Sequence, residues 1–162
     1  MPRPDPITNV YHRHAPAVFR RACQILGMEA DAHEIVQEVF LSLIERPEQF
    51  EGRSSMTTFL YALTTHACLN RIRNKNNRSR LERQQWPEPE LDQQDRRLSP
   101  EQVLILHRAI EQMPEELANA AIYYFVDGLT HLEIAQLLDC SRRHVGDLLE
   151  RLSQWGSEEP SC

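Results

Sequence analysis

Apolar residues recur along the chain at spacings of three and four, the period of an α-helix, and no stretch alternates with the period of a strand. The first stripe is Ile7, Tyr11, Ala15, Val18, Phe19, Ala22, Ile25 and Leu26, and Gly27 can end it. The segment DAHE follows, with Asp31 placed to cap a helix and Glu34 three residues on, a capping-box start. Ile35, Val36, Val39, Phe40 and Leu43 then share one face until Pro47 stops the helix. A loop, PEQFEGRSS, leads to a third helix at about 56–75, whose stripe is Phe59, Leu60, Leu63, Ala67 and Ile72.

Residues 79–98 carry no sustained stripe, and Pro87 and Pro89 break any helix there. Ser99, Pro100 and Gln102 make a fresh helix start, and Pro114 opens a further helix that ends at Asp127 and Gly128. Thr130 and Glu133 form another capping box, for a helix expected to bury Leu132, Ile134, Ala135, Leu137 and Leu138. Ser141 can cap the last helix, about 142–154, with Val145, Leu148 or Leu149, and Leu152 facing inward. Tyr123, Tyr124 and Phe125 read as core, and Trp155 as a cover for the end of its domain. The expected fold is all-α: two small helical domains, 7–78 and 99–155, joined by a flexible linker over 79–98. The second domain ends in two short helices joined by a tight turn, the layout of a helix-turn-helix.

Charge changes the picture. The chain has a formal net charge of −6, whereas a lone DNA-binding domain usually has a pI above ~9. The charge is partitioned, however. Between 66 and 83, Arg71, Arg73, Lys75, Arg78, Arg80 and Arg83 oppose only Glu82; between 31 and 51, Asp31, Glu34, Glu38, Glu45, Glu48 and Glu51 oppose only Arg46. Such asymmetry suits an anionic polymer at one segment and a basic protein surface at the other, or else two ordinary solvated helix faces.

Other chemistry is sparse. Cys23, Cys68, Cys140 and Cys162 are too scattered for a zinc site, His12 and His14 have no nearby third ligand, and no phosphate loop or nucleophile–base signature occurs. The opening MPRPDPITNV lacks the apolar run of a secretory leader. No metal, no cofactor and no enzymatic activity are expected, and the thiols are expected reduced, in a cytoplasmic protein.

Two separated blocks carry a family resemblance. DAHEIVQEVF, then a loop, TFLYAL and a basic tail resemble region two of sigma-70-type transcription initiation factors. The Pro-led helix, the Asp-Gly turn and EIAQLLDCS resemble region four. Order, spacing and the polar linker are similar to the small extracytoplasmic-function sigma factors, over roughly residues 8–155. The resemblance implies an alternative sigma factor that binds core RNA polymerase and promoter DNA, with an anti-sigma factor as a further partner. It implies core polymerase contacts at Asp31, Glu34, Gln37, Glu38 and Leu41. It implies minus-ten contacts at Phe50, Arg53, Ser54, Ser55, His66, Asn70, Arg71, Arg73, Lys75 and Arg78, and minus-thirty-five contacts at Arg142, Arg143, His144, Asp147 and Arg151.

The chain also departs from the family pattern. His66 stands where an Asn is usual, Asn70 where an Asp is usual, and Phe59 where a Trp is usual. In the recognition helix, SRRHVGDLLERL replaces a pattern like S-x-G-T-V-K-S-R-L-x-R-A, so His144, Gly146, Asp147 and Leu148 take the places of Thr, Lys, Ser and Arg. Asp147 can accept from a cytosine amino group or simply stay solvated. Competing readings are a degenerate member that binds polymerase without reading promoters, and a stand-alone helix-turn-helix regulator.

Overall fold

The computed structural model describes residues 6–78 and 98–157, with side chains placed over 6–74 and 98–155. All regular structure among the described residues is helical: α1 (Pro6–Leu26), α2 (Glu29–Glu45), α3 (Met56–Arg78), α4 (Pro100–Gln112), α5 (Glu115–Ala121), α6 (His131–Leu138) and α7 (Arg142–Ser157). A one-turn 3-10 segment, Pro47–Gln49, follows α2, and a π-helical turn, Ile122–Val126, follows α5. The chain divides into two compact units, Met1–Leu104 and Ile105–Cys162, with the boundary inside α4. Apart from Leu98, the linker expected over 79–98 lies outside the described residues, as do Trp86 and Cys162.

In the first unit α1, α2 and α3 pack pairwise. Their shared core includes Ala22, Ile25, Ile35, Val39, Leu60, Cys68, Leu69 and Ile72, all nearly inaccessible. Full burial of each large aliphatic side chain contributes about 1.5–3 kcal/mol. The turn after α1 uses Gly27 at φ 75°, a left-handed conformation that glycine adopts without strain. The α2 stripe Ile35, Val36, Val39, Phe40 and Leu43 is buried as the spacing predicts.

Asp31 is not the cap of α2. The helix starts two residues earlier, at Glu29, with Met28 before it making no side-chain cap. Asp31 lies in the first turn, where a carboxylate meets the positive end of the helix dipole, and it is buried beside Arg71. In α3 the buried face is wider than its aliphatic stripe, because Thr64 and Thr65 are fully buried. Their hydroxyls donate to the Leu60 and Tyr61 carbonyls at 2.6 and 3.0 Å, which removes the cost of burying them. Phe59 and Leu63 are only half-buried.

Arg21 is a charged member of this core, 5% exposed. Its guanidinium carbon lies 3.4 Å from the Tyr61 ring centroid, and Nε and Nη2 both donate to Thr65 Oγ1. A cation stacked on an aromatic face is a favourable way to bury the charge, and here it pins α1 to α3.

The second unit packs α5 and α6 against α7. Ile110, Leu117, Ala118, Ile122, Tyr123, Ile134, Val145 and Leu148 form its core. Two of the three expected capping boxes hold: Gln102 N–H donates to Ser99 Oγ at 3.2 Å at the start of α4, and Glu133 N–H donates to Thr130 Oγ1 at 3.3 Å at the start of α6. Three expected core residues are instead at the surface: Leu132, Tyr124 and Phe125 are 52%, 41% and 65% exposed. The π-helical turn holds the explanation for the aromatic pair. An extra residue in the turn rotates the following side chains, so Tyr123 and Val126 point inward and the two between them point out.

Candidate nucleic-acid and partner interfaces

The α2 helix has two faces because its apolar stripe is used up by the core. What remains outside is Glu34, Gln37, Glu38 and Leu41, all exposed, with Leu41 at 54%. Asp31 is the inner member of the set. Ile44, one turn beyond Leu41 and 52% exposed, extends this face and was missed from the sequence. It lies off the core stripe, the one signal that could have found it.

Arg71 of α3 reaches the same carboxylates. Its Nη1 forms an ion pair with Glu34 and lies 4.0 Å from Asp31, while Nη2 lies 3.8 Å from Glu38. Burial lowers the pKa of Arg71, but the hydrogen bond with Glu34 and the fields of Glu34, Asp31 and Glu38 outweigh it, so the guanidinium is held above its ordinary value. Arg71 is thus joined to the acidic face of α2. Lys75 and Arg78 lie on the last turns of α3, and their side chains are outside the described set.

The segment between α2 and α3 is tied down at both ends. Gln49 Nε2 donates to the Ser42 and Arg46 carbonyls at 3.0 Å each and to Ser42 Oγ at 3.2 Å. Phe50 packs edge-on against Phe59, with ring centroids 5.3 Å apart. Ser55 caps α3, its Oγ accepting from Thr58 N–H at 3.1 Å, so it has a structural task already. Between these anchors Gly52 takes φ 72°, and Arg53 and Ser54 are exposed; Arg53 pairs with Glu51 at 2.9 Å.

A cleft of about 360 Å³ opens beside this loop, lined by Glu38, Ser42, Arg46, Gln49, Leu63, His66 and Asn70. That size is at the low end for ligand pockets, ~300–1,000 Å³. His66 and Asn70, one helical turn apart, are hydrogen-bonded to each other at 3.3 Å on its wall. The structure therefore brings His66 and Asn70 together and adds Ser42, Arg46 and Gln49, which sequence reasoning did not single out. Ser42 is a polar residue near the end of α2, and Arg46 and Gln49 lie just beyond that helix, so none of them adds to an apolar stripe, which is why they were missed.

In the second unit the turn from α6 to α7 passes through Asp139 at φ 53°, left-handed, and Cys140 N–H closes it on the Ala135 carbonyl at 3.0 Å. Ser141 Oγ then accepts from His144 N–H at 3.1 Å and starts α7. Val145, Leu148 and Leu152 face the core, which settles the inward choice on Leu148, with Leu149 half-buried. Arg142, Arg143, Asp147, Glu150 and Arg151 face out. His144 is diverted: its Nε2 lies 2.5 Å from Glu116 Oε1 of α5, so it ties α7 to α5. None of the described ion pairs involves Arg142, Arg143 or Arg151.

Among the described residues no group of three His, Cys, Asp or Glu side chains is placed to hold a metal ion, and no helix is long and apolar enough to cross a membrane. Burial pushes the Cys68 thiol up to about 12.

Comparison with known proteins bears on both units. The sigma-70 region 2 family matches residues 10–78, and the sigma-70 region 4 family matches residues 104–152. The ECF RNA polymerase sigma factor SigE of Mycolicibacterium smegmatis is 28% identical over 168 residues, covering 90% of this chain and 61% of that protein. The ECF RNA polymerase sigma-E factor of Escherichia coli K12 is 28% identical over 133 residues, covering 75% of this chain and 68% of that one. The fold is similar to that of the sigma factor RpoE of Bartonella quintana, solved in complex with the anti-sigma factor NepR, with a TM-score of 0.53 at 14% identity and 91% coverage of each chain.

Proposed function

The chain belongs to the extracytoplasmic-function group of the sigma-70 family, and from that premise we propose that it is an alternative sigma factor, binding core RNA polymerase and directing it to promoters. The observation that carries the reading is the coexistence of an acidic, partly apolar α2 face, a basic α3 end and a helix-turn-helix in the order the family uses. In this reading Glu34, Gln37, Glu38 and Leu41 meet a basic polymerase surface, where charge complementarity speeds and orients docking and Leu41 contributes apolar burial.

The minus-ten element lies along α3. The cleft walled by Gln49, His66 and Asn70 receives an unstacked base, and Arg73, Lys75 and Arg78 hold phosphates. Extruding a base costs a few kcal/mol, so a tied-down loop with a prepared pocket lowers the cost of melting. Arg142, Arg143 and Arg151 approach the minus-thirty-five element from α7. The protein performs no chemistry itself; it positions the polymerase that does. It works in the cytoplasm and is held in check by an anti-sigma partner, as its structural neighbour is bound by one.

Run-off transcription tests this, using purified core polymerase, the full chain and genomic fragments that include its own upstream region. Specific transcripts that fall at least tenfold with Arg73→Ala and Lys75→Ala are expected. Stoichiometric polymerase binding with no transcript from any fragment refutes the reading and leaves the non-initiating, polymerase-binding alternative.

A further inference from the structure

Resting on the function just given, we propose that Arg71 is a clasp on the polymerase-facing carboxylates that core polymerase must displace, and that its release adds a phosphate contact on the DNA side of α3. The resemblance alone would make Arg71 one more exposed phosphate ligand. The structure puts the guanidinium of Arg71, whose side chain is only 25% exposed, among Asp31, Glu34 and Glu38. Those are three of the five residues assigned to polymerase. A basic surface that docks on α2 therefore competes with Arg71 for the same oxygens.

One guanidinium cannot neutralise three carboxylates, so the cluster stays acidic and still draws an incoming cation. The competition is also short-range to the DNA side. Glu38 belongs both to the cluster and to the wall of the cleft, and Asn70, next to Arg71 in sequence, lines that cleft too. A cation arriving at Glu34 or Glu38 weakens the hold on Arg71. The freed side chain then sits on α3 beside Arg73, at the start of the basic tail. A phosphate that binds Arg71 in turn leaves the carboxylates open, so polymerase and promoter strand favour each other through one residue; such coupling is reciprocal by necessity.

The sign of a mutant effect separates this from a structural role. Arg71→Gln in the full chain unmasks the cluster, and affinity for core polymerase should rise about two- to fivefold at low salt, the worth of an exposed pair. The same holoenzyme should bind a fork-junction DNA with a single-stranded minus-ten segment more weakly. Glu34→Gln, at a 59% exposed side chain that tolerates change, removes the main partner of Arg71. In that background Arg71→Gln should give a smaller gain in polymerase affinity, and circular dichroism should confirm that each variant keeps its helicity. Unchanged or weaker polymerase binding by a folded Arg71→Gln protein overturns the clasp while leaving the sigma reading intact. Absence of polymerase binding by the unaltered chain overturns the sigma reading, and the clasp with it.

Discussion

Replacing Asp147 by Asn and Glu150 by Gln should strengthen upstream DNA binding by the holoenzyme. Both carboxylates are exposed on the outward face of α7, among Arg142, Arg143 and Arg151, and neither takes part in a described ion pair. On a DNA-facing helix they repel phosphates. At about 8 Å through water, one such pair costs roughly 0.5 kcal/mol. Physiological salt, with a Debye length of about 8 Å, cuts that by half or more. At that salt two carboxylates therefore oppose binding by about 0.4–0.5 kcal/mol, which is about twofold in affinity. Fluorescence polarisation of the holoenzyme on a duplex carrying the minus-thirty-five region would measure it. The gain should shrink as salt is raised. Stability should move by no more than about 0.5 kcal/mol, because both sites are on the surface. Unchanged or weaker binding by the folded double variant would refute the electrostatic reasoning. A loss confined to duplexes with a cytosine at one position would show instead that Asp147 accepts from its amino group.

Other expectations follow from packing and ionisation. Leu148→Ala should cost about 2–5 kcal/mol in urea unfolding of the second unit, because the side chain is fully buried; Leu132→Ala, 52% exposed, should cost under about 0.5 kcal/mol. Thr130→Ala should cost about 1 kcal/mol by removing a cap. The backbone and hydroxyl hydrogen bonds from Thr130 hold the Glu133 carboxyl below its ordinary value, so their stabilisation is present above the unfolded carboxylate pKa and is lost as pH falls through the lower folded one. A Thr130→Ala variant should accordingly show a flatter acid limb in a pH series of melting temperatures. Cys68 should resist iodoacetamide at pH 8 in the native protein and react after denaturation. Since the folded thiol titrates at about 12 and the unfolded one near 9.0, its stabilising preference for the neutral form is full below pH 9 and declines above it.

The helices of the first unit were legible because each buries a single face at one period. The α2 stripe shows this best, with Ile35, Val36, Val39, Phe40 and Leu43 all inside. Legibility failed where local hydrogen bonding overrode polarity or period. Thr64 and Thr65 are polar and add nothing to an apolar stripe, yet they bond their hydroxyls to carbonyls of the preceding turn and become core. Arg21 gives no apolar signal in the sequence, and only the fold brings the Tyr61 ring and the Thr65 hydroxyl beside it. Tyr124 and Phe125 belong to an apolar run, and nothing in a helical period of 3.6 announces the wider turn that expels them.

For the interfaces, the sign of the charge was legible and its pairing was not. Arg71 and Glu34 are 37 residues apart, and His144 and Glu116 are 28 apart, so only the fold could show that each pair meets. Both pairings engage a residue expected to touch DNA. With His144 engaged by Glu116, α7 presents three outward arginines, Arg142, Arg143 and Arg151, against Asp147 and Glu150. Each phosphate neutralised contributes affinity by counterion release, and a face so nearly balanced gains little from that source. Under the proposed function, promoter DNA is then held chiefly by the α3 end and by the polymerase. A net charge of −6 is compatible with that division of labour, since the free chain has little need to bind DNA by itself.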